Sequence, residues 1–197
     1  MADKILLFGK WDVGEIEVTD VGLQRVLSLR PSVIPHTHGR HEHKKFGKAD
    51  VSVVERLANS LMHFGRKHAK NTGRMGGKKQ KSMNIVRTAL EIVELKTGEN
   101  PVQVLVQAVE NAAPNEDTTR ISYGGVVYHL SVDVAPLRRI DLALRFIAEG
   151  IREAAFSSQR GVEEVLADEI IAAANNDGSS FSVKKRTEQE RIALSSR

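Results

Sequence analysis

The sequence predicts a mainly α-helical protein, a bundle of about six helices from which one β-hairpin arm protrudes. From about residue 50 onward, apolar residues recur at three- and four-residue steps, which is the period of a helix. Between about residues 118 and 135 the period changes to two, around a pair of glycines, which indicates a hairpin. A chain of 197 residues with 41% hydrophobic residues can bury an ordinary core.

Residues 1–50 are predicted to form a partly irregular N-terminal extension, and residues 51–197 the helical domain. Short apolar pieces alternate with turn formers in the extension, and Pro31 and Pro35 interrupt any helix there. Cysteine is absent, which excludes disulfides and thiolate zinc sites. No apolar run approaches the ~20 residues of a membrane span, and the first residues do not resemble a signal peptide. We therefore expect a soluble intracellular protein.

The first regular helix is predicted from the stripe Val53–Phe64. Ser52 and Glu55 stand three apart at its start, which is the spacing of a capping box. A glycine-broken basic loop, residues 66–81, follows.

The next two helices are delimited by their caps. The second helix is predicted at about residues 82–96, and its apolar face is broad enough to pack on more than one neighbouring element. Gly98 is a stop signal, and Asn100-Pro101 provides a cap and a first helical residue for a helix at about 102–113.

The hairpin strands are predicted at 119–123 and 126–134, joined by Gly124-Gly125. Because an isolated hairpin is marginally stable, it must lean on the helices or on a partner. Its tyrosines, Tyr123 and Tyr128, either stack on a nucleic-acid base or cover the helical core.

Three further helices complete the predicted fold. Pro136 opens one whose buried stripe runs to Ile151, and another covers about residues 162–173 and ends near the turn formers at 175–178. The basic terminal segment, residues 184–197, is predicted to add a last short helix.

Positive charge is concentrated in one block of the chain. Residues 30–87 hold fourteen basic and three acidic side chains, a balance of +11, although the whole chain carries only +4. Such a block is typical of a surface that binds a polyanion, although charge runs also occur as solvated faces. Nucleic acid is the favoured partner. A membrane surface is disfavoured, because glycines interrupt the block and the apolar face of an interfacial helix is missing.

Sequence motifs of catalysis are missing from the chain. Gly73, Gly76 and Gly77 precede Lys78, but a Walker-type phosphate loop needs glycine where Thr72 stands. Neither a nucleophile elbow nor a His-Glu-x-x-His zinc motif is present. We predict no enzymatic activity, no cofactor and no small-molecule substrate.

Four histidines, at positions 36, 38, 41 and 43, fall within eight residues. Imidazole is a common zinc ligand, so a histidine-dependent metal protein is one alternative. The neighbouring Arg40, Lys44 and Lys45 would repel a divalent cation, and no aspartate or cysteine completes the set. Histidine among cations also suits RNA, and we predict no metal site.

Several sequence blocks, in order, resemble the small-subunit ribosomal protein seven family over about residues 46–197. The matching blocks are 53–57 with 59–62, the loop 65–81, 97–101 with 104–106, the glycine pair 124–125, 132–139, 167–169, 172–174 and 183–186. Residues 6–11 and 35–45 and the Arg197 terminus resemble the archaeal and eukaryotic branch of that family, which carries an N-terminal extension.

The resemblance implies a structural constituent of the ribosome that binds the 3′ major domain of small-subunit rRNA and organises the head. It further implies neighbouring head proteins as partners, exit-site tRNA and mRNA nearby, and a cytoplasmic location with nucleolar assembly in a eukaryote. A freestanding helical RNA- or DNA-binding regulator is the alternative. The predicted RNA-binding residues are Arg40, Lys44, Lys45, Lys48, Arg66, Lys67, Lys70, Arg74, Lys78, Lys79, Lys81, Arg120, Arg138, Arg139, Lys184, Lys185, Arg186 and Arg197.

Overall fold

The computed structural model describes residues 4–62 and 75–197, which form a mainly helical fold with one two-stranded antiparallel hairpin. The predicted fold class is confirmed. In chain order the elements are α1 (Val21–Gln24), α2 (Val53–Leu61), α3 (Lys79–Thr97), α4 (Pro101–Ala112), β1 (Glu116–Tyr123), β2 (Val126–Asp133), α5 (Pro136–Ala155), α6 (Val162–Ala174) and α7 (Phe181–Leu194). Short 3-10 turns at Arg40–His43 and Gly47–Asp50 lie in the extension.

The helices pack around α4 and α6, each of which contacts the other and also α5 and α7. The predicted stripes form the core, because Leu57, Val86, Leu90, Leu144 and Ile147 are all at most 1% exposed. Helix α3 packs on α2, α4 and α6, as its broad apolar face predicted. None of the helices in the described ranges combines the length and the apolar character that a membrane span requires.

The predicted caps around residues 98–101 are confirmed. Gly98 ends α3 in a left-handed conformation with φ of 71°, which glycine adopts without a steric cost. The Asn100 side chain accepts a hydrogen bond from the Val102 amide, and Pro101 occupies the first turn of α4.

The capping box predicted at the start of α2 is wrong. Ser52 occupies the cap position, but its side chain makes no capping hydrogen bond. Glu55 is 1% exposed and accepts hydrogen bonds from Thr37 and Lys79, so its carboxylate is engaged elsewhere. Instead of capping α2, the Glu55 side chain therefore links α2 to the extension at Thr37 and to α3 at Lys79.

The extension contributes side chains to the core of the helical domain. Leu7, Trp11, Val13, Leu23 and Leu27 belong to the same buried cluster as the helices. The Trp11 indole donates a hydrogen bond to Glu94 on α3 (Nε1–Oε2, 3.0 Å). The Asn100 amide donates to the Asp12 carbonyl oxygen (2.8 Å), so the first residues of the extension are tied to α3 and to the cap of α4.

The hairpin has one apolar and one polar face, both exposed over most of its length. Cross-strand partners such as Ile121 with Tyr128 lie on one face, and Arg120 with His129 on the other. Tyr123 is 81% and Tyr128 53% exposed, so neither covers the helical core. Among the described residues, the hairpin packs on the bundle near its base, where α7 contacts both strands and Arg197 pairs with Glu116.

Helix α7 begins three residues earlier than its basic sequence suggested. The hydroxyl group of Ser180 accepts a hydrogen bond from the Val183 amide at its start. Glu169 on α6 accepts further hydrogen bonds from Ser180 and Ser182, with Oγ–Oε1 distances of 2.8 Å. These bonds attach the start of α7 to α6.

Candidate nucleic-acid interface

The basic turn of the extension and the start of α3 lie together at the N-terminal end of α2. Glu55 joins them, because its Oε1 atom accepts hydrogen bonds from the Thr37 amide and hydroxyl group (both 2.9 Å) and forms a salt bridge with Lys79. We call the surface formed by residues 36–48 and 78–81 the Glu55 platform. Two parts of the +11 block that are 30 residues apart thus become one surface.

Burial by itself raises the pKa of the Glu55 carboxyl group, but the bonds from Lys79 and Thr37 outweigh it, and the pKa lies below its ordinary value. Glu55 is therefore ionised at neutral pH, and it compensates the positive charge of Lys79 within the fold.

Four predicted lysines of the Glu55 platform present free ammonium groups to solvent. These lysines are Lys44, Lys45, Lys78 and Lys81. Each is exposed, and none makes a salt bridge to another described residue. Arg40 is exposed on the same segment. Lys48 is half-exposed and forms a salt bridge with Asp141 on α5 (Nζ–Oδ1, 2.7 Å).

The histidines of the platform do not converge on one point: His36 and His38 contact each other, whereas His41 contacts Thr37. The rings of His36 and His38 lie 4.0 Å apart between centroids, and the His36 Nδ1 atom accepts a hydrogen bond from the His38 amide (3.0 Å). His41 lies beside the Thr37 hydroxyl group (3.2 Å). The part of the chain that the structure describes contains no cluster of three or more His, Asp or Glu placed to hold a metal ion.

The pKa of His36 lies below its ordinary value of 6.5. Desolvation of the ring by neighbouring groups is the largest cause, and the positive charges of Lys79 and His38 add to it, while Glu55 opposes them. The positive potential of the platform is thus felt by one of its own side chains.

Part of the predicted basic loop lies outside the described residues. This applies to Arg66, Lys67, Lys70 and Arg74, and also to Phe64 of the first predicted helix.

The predicted arginines around the hairpin differ in how they are engaged. Arg120 is exposed on the polar face of the hairpin. Arg138 forms a salt bridge with Asp117 (3.3 Å) but stays 63% exposed. Arg139 is 12% exposed, forms a salt bridge with Asp20 (2.8 Å) and donates to the Pro114 carbonyl oxygen (3.2 Å), so it holds the extension against the base of the hairpin.

The predicted cations of the tail lie on and after α7. Lys184 is exposed, and Lys185 pairs with Glu188 (2.6 Å). Arg186 donates to the carbonyl oxygen of Asn111 at the end of α4 (2.5 Å). Arg197 forms a salt bridge with Glu116 at the base of β1. Arg139, Arg186 and Arg197 therefore stabilise tertiary contacts within the chain.

Sequence reasoning did not identify that two charged residues of α2 are buried and paired within the fold. Glu55 and Arg56 are 1% and 3% exposed, although charged residues are rarely buried without partners. Arg56 donates to Asp141 on α5 (2.9 Å), the residue that also binds Lys48. Two adjacent charges between the apolar pairs Val53-Val54 and Leu57-Ala58 were the available signal.

Comparison with known proteins identifies close relatives of the chain. The family described as "Ribosomal protein S7p/S5e" matches residues 23–197. A protein of Cenarchaeum symbiosum named "Small ribosomal subunit protein uS7" is 63% identical over 193 residues, which cover 98% of this chain and 97% of the relative. The protein of the same name from Methanosphaera stadtmanae is 51% identical over 189 residues, covering 96% and 97% respectively.

Proposed function

Because the chain belongs to the S7p/S5e family of ribosomal proteins, we propose that it binds the 3′ major domain of small-subunit rRNA and organises the head of the subunit. The family assignment makes it a protein of the small ribosomal subunit, with rRNA and ribosomal proteins as partners and the cytoplasmic ribosome as its location. The family is one of ribosomal proteins and not of enzymes.

The Glu55 platform is the observation that supports rRNA binding most directly. Its free ammonium groups neutralise phosphates and release counterions, which supplies affinity that does not depend on base sequence. The buried ion pair of Glu55 and Lys79 fixes the position of the exposed lysines relative to one another. RNA shape and unstacked bases then provide specificity, because side chains cannot read the deep groove of duplex RNA.

We further propose that the hairpin and the tail lie near the exit-site tRNA and the mRNA path. The hairpin extends away from the bundle and exposes Tyr123 and Tyr128, and base stacking on an aromatic ring contributes about 1–3 kcal/mol. Arg120 and Lys184 supply exposed positive charge in these two regions.

Replacing Lys78 and Lys81 together with alanine tests the rRNA proposal. Lys79 is left intact, because it pairs with buried Glu55 and its loss would disturb the fold. Loss of two phosphate contacts should weaken binding to a transcript of the 3′ major domain. The slope of log affinity against log salt concentration should shrink by roughly 1.5–2.

The matched control replaces Arg25 and Arg160, two exposed arginines outside the predicted RNA-binding set and outside the tail, with alanine. It also removes two positive charges, and its salt slope should equal that of the unmodified protein. Equal affinity and equal slope for both double variants would refute the assignment of the platform. Co-sedimentation with small subunits in cell extract separates a ribosomal component from a freestanding regulator, which would stay in the light fractions.

A further inference from the structure

A cleft of about 580 Å³ lies between α2 and α5, beside the 3-10 turns of the extension. We call it the α2–α5 cleft. Its accessible apolar surface comes from the half-buried Ala148 and from the aliphatic stems of the basic side chains, since Val51 and Leu144, which also line it, are each 1% exposed. Its volume is in the range of about 300–1,000 Å³ that is usual for small-ligand sites.

The remaining lining of the cleft is strongly polar and carries excess positive charge. Four basic and two acidic side chains contribute, a balance of +2: Lys48, Arg56, Arg145, Arg152, Asp141 and Glu149. A single oxygen atom, Oδ1 of Asp141, accepts from both Lys48 (2.7 Å) and Arg56 (2.9 Å), so one carboxylate serves two cations. Arg145 pairs with Glu149 (3.1 Å). Neither acidic residue bonds to Arg152 among the described contacts.

Two guanidinium groups that line the cleft carry buried donors without a partner among the described residues. They are Nε of Arg56, whose side chain is 3% exposed, and Nη2 of Arg152. A buried donor that lacks an acceptor costs about 1–3 kcal/mol, and more when the group is charged. The two groups stand on different helices, α2 and α5, so the unmet donors belong to the two walls of one cleft.

Apolar surface, guanidinium planes and the amide of Asn59 together fit a nucleotide better than a simple anion. A base can pack on the apolar surface and on guanidinium planes, and the Asn59 amide can both donate to and accept from its edge. Arginine suits the phosphate, because its fork of donors matches phosphate oxygens. A bare anion would leave the apolar surface unused.

We propose that the α2–α5 cleft binds a single unstacked RNA nucleotide, with its base on the apolar surface and its phosphate near Lys48, Arg56 and Arg152. The proposal rests on the proposed rRNA-binding function and adds to it a base-binding site at the edge of the Glu55 platform. The cleft would recognise a base and so contribute to RNA specificity, whereas the platform by itself supplies only positive charge for phosphates.

Two variants alter the cleft in different ways. Arg152→Gln removes a half-buried cation and its unmet donor, and Ala148→Phe fills the cleft without a change of charge. The matched control is Arg87→Gln on α3, which also removes one arginine from a long helix but lies outside the cleft. If Ala148→Phe does not fold, Arg152→Gln decides the question.

The first measurement titrates the full-length protein with AMP, ribose 5-phosphate, inorganic phosphate and N-acetylglutamate, and follows the arginine Nε–H signals by NMR. AMP should bind most tightly and shift the signals of Arg56 and Arg152. The affinity should fall about tenfold in Arg152→Gln and in Ala148→Phe and stay unchanged in Arg87→Gln. Equal affinity for inorganic phosphate would reduce the cleft to an anion site, and tighter N-acetylglutamate binding would indicate an acidic protein partner; either result overturns the proposal.

The second measurement uses a transcript of the 3′ major domain and keeps this proposal separate from the proposed function. Arg152→Gln and Ala148→Phe should bind the transcript about tenfold more weakly than Arg87→Gln. If all three bind it as the unmodified protein does, the nucleotide site is refuted while rRNA binding stands. If the unmodified protein ignores the transcript, rRNA binding fails and the AMP titration alone decides whether the cleft binds a nucleotide.

Discussion

Replacing Glu55 with glutamine should destabilise the protein by about 3 kcal/mol. Glutamine keeps an oxygen that can accept from Thr37, so the main loss is the ion pair with Lys79. Breaking a buried ion pair from one side costs about 3–5 kcal/mol. The lower end applies here, because the Lys79 side chain keeps 19% of its surface exposed and can be partly hydrated.

The loss can be measured by urea unfolding and by thermal unfolding. For a chain of this length, about 3 kcal/mol corresponds to a fall in Tm of roughly 6–12 °C. The matched control is Glu42→Gln, which removes the same charge from an exposed position in the 3-10 turn of the extension. Its effect should stay within about 0.5 kcal/mol.

The pH dependence of this difference tests its cause. The folded pKa of Glu55 lies below the unfolded value of about 4.3. The carboxylate therefore contributes stability that is complete above that value and is lost as the pH falls through the folded pKa. The difference in free energy of unfolding between the unmodified protein and Glu55→Gln should be constant from pH 6 to 8 and shrink below about 4.3.

Two outcomes would contradict the reasoning. A variant as stable as the unmodified protein at pH 7 would show that the buried ion pair contributes nothing. A difference that persists undiminished in acid would show that packing and not charge is responsible. Amide hydrogen exchange at Thr37 provides a local readout. In Glu55→Gln, the protection of this amide should decrease by at least as much as the free energy of global unfolding does.

Two further predictions concern the cap of α4 and the electrostatics of the Glu55 platform. Asn100→Ala removes both the cap bond from the Val102 amide and the bond to the Asp12 carbonyl oxygen. It should lower the free energy of unfolding, measured in urea, by about 1–2 kcal/mol. Asn100→Asp keeps the cap acceptor and should be destabilised less, so equal destabilisation of the two variants would contradict the capping role. The pKa of the His36 ring, followed by NMR, should lie below 6.5 in the free protein and rise when an rRNA fragment binds, because phosphates favour the protonated ring. An unchanged pKa in the saturated complex would show that no phosphate approaches the platform at this point.

Periodicity and the caps at residues 98–101 located the helices α2 to α6, because those signals are local, whereas the short helix α1 in the extension was not predicted. The stripe through Leu57 and the stop at Gly98 depend only on residues a few positions apart, and the structure reproduces both. Helix α7 was less well predicted. Its start is capped by Ser180, which is a local signal, but it is also held by Glu169 of the preceding helix, and no local pattern around Phe181 reports that second contact.

The concentration of positive charge, the absence of catalytic motifs and the family likeness were all determined by the sequence. Only the tertiary structure decided which cations face solvent. Lys44 and Lys81 are exposed, whereas Arg139 and Arg186 belong to the same predicted set but hold parts of the chain together. The physical reason is that their partners, Asp20 for Arg139 and Asn111 for Arg186, lie 119 and 75 residues away along the chain, and only folding brings them within bonding distance.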